Sequence, residues 1–173
     1  MPLQSAIRNA KSSALYEEGN HYMSQPEETF SSLEAILQGV NNSGYAQLLG
    51  MHVEMIQDGQ GMVSIKVDAR LMHPQMIVHG GVIFSLADTA MSMALLSIIP
   101  PGTLFSTIEA KINYLQPVRS GVLLADANIV QRGNSIAVLE GTVYNVNGED
   151  KQAIARVLGT FHIASSRPKS KKN

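Results

Sequence analysis

The longest apolar run of the chain extends from Val82 to Ile99 and is typical of a buried helix. Its apolar residues cover nearly the whole circumference at a period of about 3.6 residues per turn. Its polar residues recur at steps of three and four and therefore fall on one narrow stripe, made of Ser85, Asp88, Thr89 and Ser92. Because an acid and several hydroxyl groups interrupt the run, and Pro100 ends it, we expect a helix inside a globular domain and no transmembrane span.

Alternating segments on both sides of this run predict β-strands. Before it, residues 51–55 and 63–67 alternate around a turn at Asp58-Gly59-Gln60-Gly61, which predicts a hairpin. After it, further alternating segments, separated by proline, glycine and asparagine turns, occupy residues 107–114, 123–129, 137–143 and 153–163. We therefore expect an α+β domain in which neighbouring strands pair antiparallel and a curved sheet wraps around one long central helix.

The two ends of the chain are expected to lie outside this domain, which we place at residues 41–165. Residues 1–40 form an N-terminal extension whose first 25 residues are polar and unpatterned, so we expect them to be poorly ordered. Helical spacing predicts a helix that begins at Pro26 and ends near Val40, followed by a short helical turn at residues 45–49. Residues 166–173 form a basic tail that we expect to be solvated.

Composition excludes several functional classes. The 173 residues are 45% hydrophobic and carry a formal net charge of −1, with 13 basic and 14 acidic residues. Four of the basic residues lie in the tail, so the folded body carries nine basic and 14 acidic residues, and we expect no nucleic-acid binding. Absence of cysteine excludes disulfides and thiol nucleophiles, and the five histidines show no metal-ligand spacing, so no metal is expected. The N-terminus does not resemble a secretory signal, which favours a cytoplasmic location.

Asp88 and the glycines Gly80 and Gly81 are the strongest candidates for chemistry. A carboxylate inside an apolar helix has to be paired or desolvated, so it serves either as a structural hydrogen-bond anchor or as a functional group. A glycine-led helix start offers unpaired backbone N–H groups and the positive end of a helix dipole. Such donors can stabilise the oxygen of an ester or thioester as it gains negative charge. Together, the carboxylate and the donors indicate acyl transfer.

Two segments, HGGVIFSLADTA and TIEAKINYLQP, resemble the hot-dog-fold acyl-CoA thioesterases of the PaaI-like (phenylacetic acid degradation) type, in the 4-hydroxybenzoyl-CoA thioesterase superfamily. The resemblance covers about residues 41–164. It is specific because three features occur in order: His-Gly-Gly, an acid seven residues beyond the second glycine, and a strand that ends in an aromatic residue, an apolar residue and a proline. A His-Gly-Gly motif by itself would be weak evidence for the family.

The resemblance implies a role for each of several residues. Gly80 would polarise the thioester carbonyl through its N–H, with His79 and Gly81 beside it, and Asp88 would be the nucleophile or the general base. His73 occupies a position that helps to hold the attacking water or the thioester, and Thr107 lies beside the acid. In this family the acid reaches the thioester from the partner subunit. The resemblance therefore implies a homodimer or homotetramer that acts on acyl-CoA without a cofactor.

Two departures from the family pattern concern the substrate. Relatives commonly carry a glycine where this chain has Met76, so the acyl pocket is expected to differ in shape. Relatives also place a basic residue shortly after the glycine of a strand turn to meet the coenzyme A phosphates, whereas this chain reads Arg132-Gly133-Asn134. Either Arg132 substitutes for that basic residue, or a neighbouring subunit holds the phosphates. Two alternatives stay open: a hydratase or dehydratase on the same fold, which would pair a histidine with the acid, and an acyl-CoA-binding module without catalysis.

Overall fold

The computed structural model describes residues 33–164 of the chain. The first 32 residues, with the expected start of a helix at Pro26, and the basic tail at 166–173 lie outside the described residues. Within the described range, the first helix ends at Asn41 and a short helix follows after Ser43, as the sequence predicts. The Ser43 side chain accepts a hydrogen bond from the Ala46 N–H and so caps that short helix.

Three helices and six strands make up the described region, together with one 3₁₀ turn at Ala69–Leu71. The helices are α1 (Leu33–Asn41), α2 (Gly44–Leu49) and α3 (Gly80–Leu96). The strands are β1 (Met51–Gln57), β2 (Gln60–Lys66), β3 (Phe105–Tyr114), β4 (Val122–Arg132), β5 (Ile136–Asn147) and β6 (Asp150–Ile163). No helix within residues 33–164 combines the length and the apolar character that crossing a membrane requires.

All six strands form one antiparallel sheet in the order β1-β2-β4-β5-β6-β3. The hairpins β1–β2, β4–β5 and β5–β6 confirm the predicted pairing of sequence neighbours. The same prediction is wrong for β3, which pairs with β6 and not with β4. The reason is the connection after β3: residues 115–121 form no tight turn, and Val118 is buried, with its carbonyl oxygen accepting the Val78 N–H at 2.8 Å. The chain thus leaves the edge of the sheet formed by β3 and crosses to the position of β4, three strands away.

Helix α3 packs directly on the sheet. Its sheet-facing side buries nine apolar residues: Val82, Ile83, Leu86, Ala87, Ala90, Met91, Met93, Ala94 and Leu95. The approach is closest at Gly61 of β2, where a side chain would collide with the backbone of Ala90 and Ala94. Glycine is therefore required at this position, because strand and helix backbones are in contact there.

The opposite side of α3 is only partly covered. The polar stripe predicted from the sequence is confirmed, but its members are half-buried in the single chain. The expectation of a helix buried on all sides is wrong for this side, because a single sheet covers only the face that packs against it. The stripe therefore remains within reach of a ligand or of another subunit.

Strand β3 forms an exposed edge of the sheet. Large apolar residues on β3 and its flanks remain open to solvent, with Leu104 76%, Ile108 56% and Leu115 48% exposed. Its free edge also presents unpaired backbone groups, and an apolar edge strand of this kind favours pairing with another chain.

Candidate active site

The start of α3 is organised by His79. This residue has extended backbone angles and acts as the N-cap of the helix, where its Nδ1 accepts the Gly81 N–H at 3.0 Å. The Gly80 N–H has no hydrogen-bond partner among residues 33–164. One donor at the positive end of the helix is therefore satisfied by His79, and the donor beside it is open.

The loop that precedes α3 brings His73 and Met76 to the same place. His73 donates its N–H to the Ile77 carbonyl at 2.7 Å and accepts the Met76 N–H on its own carbonyl at 2.8 Å. Its ring centre lies 6.0 Å from that of His79. Met76 has φ = 58°, in the left-handed region that favours glycine, the residue that the family resemblance leads us to expect at this position. Its side chain is 66% exposed, so the structure shows it open to solvent in the single chain.

Asp88 and Thr107 form a second group. The Thr107 hydroxyl donates to Asp88 Oδ1 at 2.9 Å, which joins the polar stripe of α3 to the edge strand β3. Asp88 Oδ2 has no hydrogen-bond partner in the described part of the chain. The carboxylate is therefore held by one oxygen and open at the other, which is the arrangement that a nucleophile or a general base requires.

Two further stripe residues, Ser85 and Thr89, form hydrogen bonds within the helix or to α2. The Ser85 hydroxyl donates to the Gly81 carbonyl at 2.9 Å, and the Thr89 hydroxyl donates to the Ser85 carbonyl at 2.8 Å. The hydroxyl of Tyr45, on α2, lies 2.5 Å from Ser85 Oγ. These contacts hold the side chains next to Asp88 in place. They also direct the Ser85 and Thr89 hydroxyl groups to partners other than the Asp88 carboxylate.

Tyr114, to which the sequence analysis gives no role, lies against Gly80. Its hydroxyl donates to the Gly80 carbonyl at 2.9 Å. A Cβ at Gly80 would lie 3.2 Å from both Cζ and Oη of the tyrosine. The only signal in the sequence was its place in the segment TIEAKINYLQP, because a contact across 34 residues depends on where β3 ends relative to α3.

The predicted site residues therefore fall into three groups within one chain. The loop and helix start contain Gly80 and its neighbours His73, Met76, His79 and Gly81. Asp88 and Thr107 form the second group, and the exposed turn at 132–134 forms the third. Asp88 follows Gly80 by eight residues on the same helix, so their backbones are about 12 Å apart along the axis. No three His, Asp or Glu side chains of residues 33–164 come together in a way that could hold a metal ion.

Comparison with known proteins identifies the family. The model of the thioesterase superfamily matches residues 75–151, which include the start of α3, Asp88 and Thr107. A Halobacterium salinarum protein assigned as an esterase is 34% identical over 115 residues, which cover 63% of this chain and 76% of that protein. The chain belongs to the thioesterase superfamily. Its reaction class is therefore thioester hydrolysis, as the sequence resemblance implies.

Further relatives narrow the comparison to the PaaI-like type. The acyl-coenzyme A thioesterase PaaI of Escherichia coli is 28% identical over 122 residues, covering 70% of this chain and 83% of the relative. The structure of the Escherichia coli PaaI protein matches with a TM-score of 0.65 at 26% identity, over 72% of this chain and 87% of that one. A thioesterase from Haemophilus influenzae matches with a TM-score of 0.70 at 26% identity, over 80% and 94%. These matches confirm the hot-dog fold.

Proposed function

We propose that the protein hydrolyses acyl-CoA or aryl-CoA thioesters to the free acid and coenzyme A. The observation that carries the proposal is the state of Asp88: one oxygen is fixed by Thr107 and the other is open, on the half-buried stripe of α3. Two relatives support this substrate class. One is the PaaI acyl-coenzyme A thioesterase, and the other is a 1,4-dihydroxy-2-naphthoyl-CoA hydrolase of Listeria monocytogenes, 27% identical over 97 residues, which cover 56% of this chain and 79% of that enzyme.

One thioester cannot reach both Asp88 and Gly80 of the same chain. An attacking oxygen and an oxyanion donor each have to lie about 3 Å from adjacent atoms of one carbonyl group. The two residues are about 12 Å apart along α3, because eight residues of helix separate them. We infer that the site is composite, with Asp88 of one subunit facing the Gly80 N–H of its partner.

The contacts of β3 indicate how two subunits could make this site. Thr107, near one end of the strand, holds Asp88, while Tyr114, at the other end, lies on Gly80. If two β3 edges pair antiparallel about a two-fold axis between Ala110 and Lys111, Thr107 faces the partner subunit's Tyr114. The same pairing covers the exposed apolar edge and builds two identical sites per dimer, and the protein is a homodimer or a homotetramer of such dimers.

Within this site the reaction follows one of two routes. In the first, Asp88 Oδ2 attacks the carbonyl carbon, the C–S bond breaks, coenzyme A leaves as thiolate, and water hydrolyses the resulting anhydride. In the second, Asp88 takes a proton from a water molecule that attacks the same carbon. The tetrahedral intermediate then collapses, the C–S bond breaks, and coenzyme A leaves as thiolate. In both routes the Gly80 N–H stabilises the negative charge on the carbonyl oxygen.

The turn at 132–134 is our candidate for the coenzyme A phosphates. Arg132 pairs with Ala137, Ala137 with Phe161, and Phe161 with Thr107, so all four lie on one row across the sheet. Three strand spacings separate Arg132 from Thr107, about 14 Å in total. An exposed arginine at this distance from the reacting carboxylate suits a substrate whose phosphates and thioester stand at opposite ends of an extended arm. Met76, exposed on the loop before α3, is our candidate for shaping the acyl pocket.

The histidine geometry disfavours a hydratase or dehydratase. His73 Nδ1 accepts the Gln75 N–H at 3.3 Å, and His79 Nδ1 accepts the Gly81 N–H. A neutral ring that accepts at Nδ1 carries its proton on Nε2, so neither ring presents a free basic nitrogen to a substrate. A histidine base would first have to break these loop contacts.

A panel of thioesters tests the proposal. Short, medium and long saturated acyl-CoA substrates and an aryl-CoA are assayed for thiol release, and an enoyl-CoA is assayed for loss of its double bond. We expect thiol release from at least one saturated acyl-CoA or aryl-CoA. Hydration of the enoyl-CoA without thiol release from any saturated substrate would instead identify a hydratase. Binding by calorimetry without any turnover would identify a binding module.

A further inference from the structure

The peptide groups around Gly80 are restrained on two sides. The peptide group between Gly80 and Gly81 is held at both of its polar atoms: its N–H donates to His79 Nδ1, and its carbonyl accepts the Tyr114 hydroxyl. The end of the tyrosine ring also lies beside Gly80, since a Cβ placed on that residue would meet Cζ and Oη at 3.2 Å. The Gly80 N–H belongs to the peptide group before this one, whose His79 carbonyl accepts the Val82 N–H at 3.0 Å. The Gly80 N–H itself is left without a partner in the described residues.

This restraint matters because glycine has the greatest backbone conformational freedom of any residue. An unrestrained glycine at the first position of a helix samples many directions for its N–H. An oxyanion donor is effective only when its direction is fixed before charge develops, so that no reorganisation is needed during the reaction. A side chain that holds the glycine in place can therefore act on the rate without touching the substrate.

We propose that Tyr114 is a positioning residue, whose hydroxyl fixes the Gly80 backbone so that its N–H points at the carbonyl oxygen of the thioester. The role rests on the proposed function, because it concerns the donor of that same site. It also gives a reason for glycine at position 80 itself, because a Cβ there would crowd the end of the tyrosine ring.

The protonation state of Tyr114 fits this role. Burial of part of the side chain raises the pKa of the Tyr114 hydroxyl above its ordinary value. This direction favours the protonated hydroxyl, which is the form that donates to the Gly80 carbonyl.

The test compares Tyr114→Phe with the wild type and with Tyr144→Phe. Tyr114→Phe removes the hydroxyl and keeps the ring on Gly80, so packing is preserved. Tyr144 is a half-buried tyrosine of β5 that lies under Lys151 and outside the site, and its variant controls for loss of a tyrosine hydroxyl elsewhere in the sheet. Values of kcat and KM for the best acyl-CoA substrate are measured well below the melting temperature of each protein.

We expect Tyr114→Phe to lower kcat by about fivefold to tenfold, the effect of one lost hydrogen bond, with KM changed by less than about twofold. Tyr144→Phe should match the wild type in both constants. Unchanged kcat in Tyr114→Phe, or a rise in KM that accounts for the whole loss, overturns the positioning role while the hydrolase activity stands. A wild type that releases no thiol from any substrate overturns the proposed function, and the role of Tyr114 with it.

Discussion

Asp88 is the residue on which the proposed chemistry depends, and its environment allows a substitution that removes the charge without changing the shape of the site. In Asp88→Asn the amide oxygen can still accept the Thr107 hydroxyl that now donates to Oδ1, so the shape of the site is retained. The negative charge and the basic Oδ2 are lost. We expect thiol release to fall by about a hundredfold to ten-thousandfold, the range for a positioned general base, while the oligomer stays intact.

The matched control for this variant is Asp126→Asn. Asp126 is a half-buried carboxylate on β4, paired in register with Thr142 of β5 and distant along the chain from Gly80 and Asp88. This variant should keep wild-type kcat. An Asp88→Asn enzyme that retains more than about a tenth of wild-type kcat would show that the carboxylate serves as a structural anchor.

Gly80 permits a test of the backbone donor itself. Proline removes the N–H, and the first position of a helix accepts proline well, as do the extended angles of the preceding His79 (φ = −63°, ψ = 133°). Gly80→Ala keeps the N–H and adds the same Cβ against Tyr114. We expect Gly80→Pro to lower kcat by about a hundredfold to a thousandfold beyond Gly80→Ala, as measured by thiol release. Equal activity of the two variants would rule out the Gly80 N–H as the oxyanion donor.

Some of the site residues were predictable from the sequence and others were not. Spacing on α3 singled out Asp88 and the glycines, and the resemblance added Thr107, which the structure places at hydrogen-bond distance from the acid. The stripe itself was predicted, but not that it would be only half-buried, because the period of a helix does not tell how many of its sides the sheet will cover. Tyr114 was missed because its contact with Gly80 is set by tertiary packing, and no local pattern encodes it.

At the scale of elements, β3 links the chemistry to the assembly. It carries Thr107 and Tyr114, and between them Ile108 lies at an irregularity of the pairing with β6, 56% exposed. We expect Ile108→Lys to weaken subunit association, since a charge on an edge strand opposes strand pairing. Size-exclusion chromatography with light scattering should show a shift toward the monomer, and thiol release should fall in the same proportion.

Leu158→Lys provides the control for this edge variant. Leu158 is 48% exposed on β6, which lies inside the sheet and has both edges paired. This variant should keep the assembly and the activity. A monomeric Ile108→Lys protein with full activity would contradict the composite site.

The elements themselves were largely predictable from hydrophobic periodicity. Each of the six strands and the long helix lies where alternation or helical spacing indicates, and the Asp58-Gly59 turn has the positive φ angles expected of a tight hairpin (47° and 82°). The position of β3 was not predictable from proximity in sequence. Its partner β6 begins 36 residues after β3 ends, and only the long connection after Tyr114 hints at a crossover.

At the scale of the whole molecule, each chain contains both essential groups of the proposed site, Asp88 and the Gly80 N–H. The two groups meet at one thioester only when they come from two different subunits. Gly80 and Asp88 are held about 12 Å apart by the rigid helix between them, and no movement of loops can close that distance. The exposed apolar edge of β3 provides the surface on which two copies can associate. The central claim is therefore that catalysis requires residues of two subunits.

Complementation between two inactive variants tests this claim most directly. Asp88→Asn and Gly80→Pro are co-expressed or refolded together in equal amounts, and thiol release is compared with that of each variant alone. If the site is composite, half of the dimers are mixed and each mixed dimer has one intact site of two, so about a quarter of wild-type activity should return. If each chain instead builds its own site, every site in the mixture lacks one essential group. Activity no higher than that of the separate variants, with mixed dimers shown to form, would contradict the account.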